Sequence, residues 1–116
     1  MRYLKRAKGF TLVEIMLVVV LIGLLAALAI PTIHKARVAS QDKTVINNLR
    51  QFVAAAGQYM LNEGASQLSA TDIIGGGKFI NVIEQVADED YGVIVFGTDT
   101  TRITVSVNGR TVHYDF

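Results

Sequence analysis

The sequence predicts an α+β chain. A long N-terminal α-helix, transmembrane in its first half and amphipathic in its second, is expected to pack on a small C-terminal three-stranded antiparallel β-sheet. Three observations carry that expectation. Phe10 to Ile30 is an apolar run of 21 residues in which only Thr11 and Glu14 are clearly polar. Apolar residues then recur at steps of three and four from Ile33 to Met60. Beyond Asp90 the pattern changes to the alternation of strands, centred on an Asn108-Gly109 pair.

The first nine residues, MRYLKRAKG, are polar and basic: Arg2, Lys5, Arg6 and Lys8, with no acid. The apolar run that follows would form a helix of ~30 Å at ~1.5 Å per residue, the hydrocarbon thickness of a bilayer. A cleaved secretory signal is the first rival. Its apolar core is shorter, roughly 7–15 residues, and ends at small residues. Here the run is longer and is followed by Pro31-Thr32-Ile33-His34-Lys35, with Ala27 and Ala29 as a weak small-residue pair. The basic stub places the N-terminus on the cytoplasmic side. Lys35, Arg37 and Lys43 beyond the run weaken that asymmetry without an equally pure basic block.

Pro31 removes a backbone donor and crowds the preceding turn, yet helical periodicity continues past it. Ile33, Ala36, Ala39, Val45, Leu49, Phe52, Ala56 and Met60 define one stripe, while Gln41, Asp42, Lys43, Asn47 and Arg50 are polar. This reads as one helix over about Thr11 to Asn62, kinked near Pro31 and ended by Gly64. Ser69-Ala70-Thr71-Asp72 resembles a capping box that would start a short helix through Ile74. Gly75-Gly76-Gly77 is a turn, and no Lys-Ser/Thr pair accompanies it as phosphate binding requires. Lys78 to Val86 fits a strand or a helical turn equally well. Ala87 to Asp90 reads as an acidic, solvated loop.

Three strands are expected at the C-terminus: Tyr91 to Thr98, Arg102 to Val107, and Thr111 to Phe116. Ile103, Val105 and Val107 share one face, as do Val112, Tyr114 and Phe116. Asn108-Gly109 predicts a two-residue type I′ hairpin turn. The apolar face of the sheet and the stripe on the helix each need a cover, and the simplest solution is each other.

Composition excludes several functions. The chain has 116 residues, a single-domain length, and no cysteine, so disulfides and thiolate metal sites are absent. Without the basic stub, seven Lys/Arg face ten Asp/Glu, and a mildly acidic body argues against nucleic acid as a main partner. No nucleophile–base–acid set or paired-carboxylate catalyst stands out, so the chain is not expected to be an enzyme. His34 and His113 are too isolated for a zinc site. Phe10, Phe52, Tyr59 and Phe79 read as packing residues. Asp88, Asp90 and Asp99, with Glu89, flank the first predicted strand and are the candidate oxygen ligands for a calcium ion, without the spacing of an EF-hand.

Glu14 is the residue that needs a partner. A carboxylate in hydrocarbon costs roughly 2.5–3.5 kcal/mol on insertion scales. It either snorkels to the interface one turn into the helix or pairs with a positive group in a dry place. Gly23 and Pro31 bracket a weaker helical segment, and Ala26, Ala27 and Ala29 between them permit close helix approach.

Basic leader, Gly9-Phe10-Thr11-Leu12-Val13-Glu14, long apolar run, Gly23 and Pro31 together resemble the N-terminus of the type IV pilin family, which includes the secretion and competence pseudopilins. The close match covers some two dozen residues, and the helix-then-sheet layout extends it over the rest. The resemblance implies a leader at residues 1–9, a transmembrane and filament-core helix at 10–31, and a globular head at 32–116. It implies cleavage between Gly9 and Phe10 by a prepilin peptidase, N-methylation of Phe10, and pairing of Glu14 with the Phe10 amine of a neighbouring subunit. Gly23 and Pro31 would mark a segment that loosens on assembly. The partners implied are the chain itself and other pilins in a helical filament, the prepilin peptidase, an inner-membrane assembly platform, and membrane lipid before assembly. The location implied is the bacterial inner membrane, N-terminus cytoplasmic, and then a periplasmic or cell-surface filament. No cofactor is expected, calcium being the one candidate. Major secretion pseudopilins hold calcium in this general region, and typical major pilins carry a C-terminal disulfide loop that this chain lacks. A calcium-stabilised pseudopilin is therefore the alternative within the family. A single-pass membrane-anchored interaction domain is the alternative outside it.

Overall fold

The computed structural model describes residues 8–116. Most of the basic leader, with Arg2, Lys5 and Arg6, lies outside the described residues. The residues up to Arg37 and those from Val38 to Phe116 form two units.

Helix α1 runs without interruption from Leu12 to Glu63, 52 residues, with Pro31 inside it. It begins where expected, and it ends at Gly64, whose φ of 65° is the left-handed conformation that terminates a helix with least strain. Proline at 31 withholds the amide that would bond the Ala27 carbonyl. The next residue, Thr32, turns its hydroxyl to the Leu28 carbonyl at 3.2 Å. Every residue from Lys8 to Arg37 is exposed. The apolar side chains of this unit cover all sides of the helix, so no single face could bury them.

The second unit has a core. Val45, Leu49, Phe52, Ala55 and Ala56 of α1 are buried with Leu68, Ile73, Tyr91, Ile94, Phe96, Ile103, Val105, Val107 and Val112. The stripe predicted on the second half of the helix and the apolar face of the strands do cover one another. After Gly64 come β1 (Gln67–Ser69), α2 (Ala70–Ile73), β2 (Val95–Gly97), β3 (Arg102–Val107) and β4 (Arg110–Asp115). The Asp72 carboxylate accepts from the Ser69 amide at 2.7 Å, the return half of the predicted capping box. This contact, followed by the Ser69 hydroxyl, holds the Asp72 carboxyl below its ordinary value.

The predicted three-stranded meander is corrected. The strands form two two-stranded sheets, β1 with β2 and β3 with β4. In the first, Gln67, Leu68 and Ser69 pair antiparallel with Gly97, Phe96 and Val95. Two local effects break up the expected strand at 91–98. The Asp90 carboxylate accepts from the Gly92 amide at 2.8 Å and bends Tyr91–Val93 into a 3-10 turn. At the other end a turn closes between Gly97 and Thr100, with N–H to O distances of 3.0 and 2.9 Å. What remains is a three-residue strand whose free edge is taken by β1. Side chains, not a backbone ladder, link the two sheets: Phe96 stacks on Phe116 at 5.5 Å between ring centres, and Phe116 on Tyr114 at 5.9 Å. The β3–β4 hairpin is as expected, with Val107 opposite Arg110. Asn108 and Gly109 have φ of 49° and 74°, as a type I′ turn requires. Lys78 to Val86 is neither strand nor helix, apart from an isolated bridge between Ile74 and Ile80.

Candidate functional site

Gly9, Phe10 and Thr11 precede α1 and carry no helical structure. Phe10 is 87% exposed, and a Cβ added at Gly9 would meet nothing within 4 Å. The peptide bond between them is therefore open on all sides, in irregular backbone of the kind a protease cleft admits.

The first turn of the helix explains how Glu14 is held. Its Oε2 accepts from the Thr11 amide at 2.8 Å, and its own amide donates to the Thr11 hydroxyl at 3.2 Å. Thr11 and Glu14 thus form a reciprocal capping box, with the carboxylate at the positive end of the helix dipole. Sequence reasoning passed over Thr11, although threonine followed three residues later by glutamate, ahead of an apolar run, is the signal for this motif. The cap accounts for one carboxylate oxygen. Oε1 has no partner among the described residues, so one face of the acid stays open to a donor from outside the chain.

Gly23 lies within the apolar helix, and an added Cβ would touch nothing. Close packing inside this chain is not what the glycine serves. Around it Leu17, Val20, Leu21, Ile22, Leu24 and Leu25 are between 51% and 68% exposed. An apolar surface of this extent belongs against lipid or other protein. Among the described residues α1 is one helix long and apolar enough to cross a membrane.

The acidic residues near the first predicted strand do not converge. Asp88 Oδ1 accepts from the Asn108 amide, Asp90 from the Gly92 amide, and Asp99 lies exposed in the turn after β2. Among the described residues no three His, Asp or Glu side chains are grouped to hold a metal ion.

Glu89 behaves differently from its neighbours. It is fully buried. Oε1 accepts from the Val86 amide at 2.6 Å and Oε2 from the Ala87 amide at 2.9 Å. The Tyr91 hydroxyl donates to Oε1 at 3.4 Å and accepts from Asn48 Nδ2 at 2.9 Å. The same Asn48 nitrogen donates to the Glu84 carbonyl at 3.0 Å. This chain of bonds fastens the irregular segment 84–91 to α1. Burial, above all, pushes the Tyr91 hydroxyl above its ordinary value. The Asn48 bond works the other way, and the nearby Glu89 charge adds to the rise.

Comparison with known proteins bears on the helix N-terminus first. Residues 4–30 match the family described as the prokaryotic N-terminal methylation motif. Over 112 residues the chain is 31% identical to the fimbrial protein EcpC of Eikenella corrodens, covering 90% of this chain and 71% of that protein. It is 34% identical over 111 residues to a fimbrial protein of Neisseria meningitidis, covering 89% of this chain and 62% of the other. Over 54 residues it is 43% identical to the type IV major pilin protein PilA of Myxococcus xanthus, spanning 47% of this chain and 24% of that pilin. No solved structure matches at a comparable significance. The methylation motif covers Gly9, Phe10 and Glu14, and the likeness to EcpC continues through nearly all of the chain. With a capped apolar helix leading into a small α+β head, they make this chain a member of the type IV pilin family.

Proposed function

We propose that the chain is a structural subunit of a type IV pilus. Prepilin peptidase cuts it between Gly9 and Phe10 and methylates the new Phe10 amine, and it polymerises through α1. Before assembly it waits as a single-pass protein of the inner membrane, N-terminus cytoplasmic, with Phe10 to Ile30 in lipid and the head outside the cytoplasm. Assembly, driven by a platform in that membrane, exchanges lipid contacts for contacts with equivalent helices, and the finished filament is periplasmic or on the cell surface.

The observation that carries this reading is the state of Glu14. A membrane anchor alone would be more stable without it. In this chain it caps the helix through one oxygen and leaves the other open, inside a surface that is otherwise apolar. The Phe10 amine created by cleavage is a cation of the right kind. Within one chain the cap already occupies the geometry at that terminus, so the amine of an adjacent copy is the natural partner. A buried ion pair of this sort sets axial register, as a polar position does in a coiled coil. Exposed, non-helical backbone at Gly9-Phe10 supports cleavage there. Gly23 and Pro31, with the Ala27 carbonyl left without its helical donor, mark the segment that loosens when lipid is exchanged for protein.

The test is the intact mass and N-terminal sequence of the protein from its native cell. The expected product begins at N-methylated Phe10. A chain that still begins at Met1 in cells with an active prepilin peptidase would sink the reading.

A further inference from the structure

The apolar stretch of α1 ends in cations that no acid of the described residues answers. His34, Lys35 and Arg37 follow directly on Ile33, and there is no acid between Glu14 and Asp42. All three side chains are exposed. The acid that comes next, Asp42, is taken by Arg110 at 2.7 Å. Among the described residues Lys35 and Arg37 make no ion pair; the two pairs present are Arg102 with Asp115 and Arg110 with Asp42. His34, Lys35 and Arg37 belong to the first of the two units, so the placement of the head does not enter.

Their arrangement around the helix selects the kind of anion they suit. At 100° per residue Lys35 and Arg37 stand roughly 160° apart, and His34 lies between them, ~60° from Arg37. The three form a collar, not a stripe. A docked protein surface reaches one side of a helix, whereas lipid surrounds it. The apolar side chains of the preceding run are distributed in the same way, on every side.

The axial level of the collar agrees. Phe10 to Ile30 fills the ~30 Å of hydrocarbon, and the headgroup layer beyond it is ~5–7 Å deep. Lys35 and Arg37 follow Ile30 by ~7.5 and ~10.5 Å of helix. Helical side chains tilt toward the N-terminus, and the flexible stems of Lys and Arg reach back further. Both charges therefore come down to the level of the phosphates. We propose that Lys35 and Arg37, with His34 beside them, form a binding collar for the headgroup phosphates of anionic phospholipid, in the leaflet that faces away from the cytoplasm. The collar holds the outer end of the apolar helix at the bilayer surface and gathers anionic lipid around it. The inference rests on the single-pass membrane reading proposed above.

The absence of tryptophan makes the test direct. Ile30→Trp places a single fluorophore at the outer hydrocarbon edge of the full chain. The chain is reconstituted in vesicles of equal parts phosphatidylcholine and phosphatidylglycerol, with one lipid or the other brominated near the headgroup end of its acyl chains. An anionic surface favours each nearby cation about fivefold, so quenching should show phosphatidylglycerol enriched beside the tryptophan about fivefold or more. Adding Lys35→Gln and Arg37→Gln should abolish the enrichment, and the exchange Lys35→Arg with Arg37→Lys should keep it. Equal quenching by the two lipids, or an enrichment that the double Gln variant retains, overturns the collar and leaves the membrane reading standing. That outcome would free Lys35 and Arg37 for an acidic protein surface. Quenching by neither lipid would mean that Ile30 is not at a bilayer, and the membrane reading itself would fail. Should the double Gln variant not insert, salt decides in the chain that carries Ile30→Trp alone. Raised salt should weaken an enrichment that rests on charge, and an enrichment indifferent to salt overturns the collar.

Discussion

From Leu12 to Arg37 no side chain of α1 is buried, while from Val45 to Ala56 five are. The two stretches belong to one unbroken helix and both are rich in apolar residues. They differ in how those residues are placed. The second half confines them to a stripe, which Ile103, Val105 and Val107 cover from the strands. The first half has them on every side, and nothing in this chain covers it. Glu89 and Glu14 show the same contrast. Each carboxylate belongs to an apolar setting. Glu89 finds two backbone amides and a tyrosine hydroxyl within its own head. Glu14 finds one amide, that of Thr11, and keeps an oxygen open. The buried acid of the head is satisfied by the head's own residues, whereas the apolar half has to be finished by lipid or by another copy.

The strongest way to break that contrast is at Glu14. Glu14→Ala removes both the cap and the open acceptor. Filament yield should fall at least tenfold, since losing a hydrogen bond to a charged group is worth ~1.5–3 kcal/mol at each contact. The amount of protein in the membrane should stay the same. Glu14→Gln separates the two roles, because an amide oxygen still caps Thr11 while the charge is gone. If Glu14→Gln assembles like wild type, the cap is what matters and the ion pair is not.

A smaller effect is expected inside the head. Glu89→Gln presents an amide N–H₂ to one of two amides that now share a carboxylate, leaving a buried donor unsatisfied at ~1–3 kcal/mol. Thermal or denaturant unfolding of the detergent-solubilised chain would measure it, and hydrogen exchange would place the loss in residues 84–91. Glu84→Gln, which alters an exposed side chain while the backbone carbonyl that accepts from Asn48 is kept, should stay within about 0.5 kcal/mol. Equal losses at the two positions would mean that the burial of Glu89 contributes nothing particular.

The sequence was most legible where one periodicity runs for many residues. Helix α1 was placed to within a residue at each end, and Gly64 at its stop has the positive φ expected of it. The β3–β4 hairpin was legible for the same reason, helped by a turn pair that only a left-handed backbone suits. The contacts that misled are shorter than any period. Strand β1 is three residues with Leu68 as its one buried side chain, and it exists because β2 offers an edge. Asp90 bends the chain at Gly92 through a single side-chain bond, against an apolar pattern that reads as strand. Glu89 sits among Asp88 and Asp90, and three adjacent acids read as solvated. Its burial depends on how residues 84–87 fold back, which no local spacing encodes. At the candidate site Gly9, Phe10 and Glu14 were singled out from the sequence, whereas the Thr11 cap, although its spacing to Glu14 signals it, was passed over. The open oxygen of Glu14 became visible only with the geometry.

The smallest expected effect belongs to the exposed pair at the end of the hairpin, where head stability meets pH. The Arg102 guanidinium donates to the Asp115 carboxylate across β3 and β4. That bond, more than charge alone, holds the Asp115 carboxyl below its ordinary value of 3.8 and raises the Arg102 guanidinium. A carboxyl whose value is lower in the folded chain binds its proton more weakly there than when unfolded. Its contribution is therefore complete above the unfolded value and disappears as pH falls through the folded one. Both side chains are more than half exposed, so water and salt screen the pair and the loss is slight. Melting temperature followed from pH 7 down to about pH 2 should decline slightly less steeply below 3.8 in Asp115→Asn than in wild type, and the difference should shrink in high salt. Parallel curves would mean that the pair adds nothing to the hairpin, and that the stacking of Phe96, Phe116 and Tyr114 alone holds that end of the head.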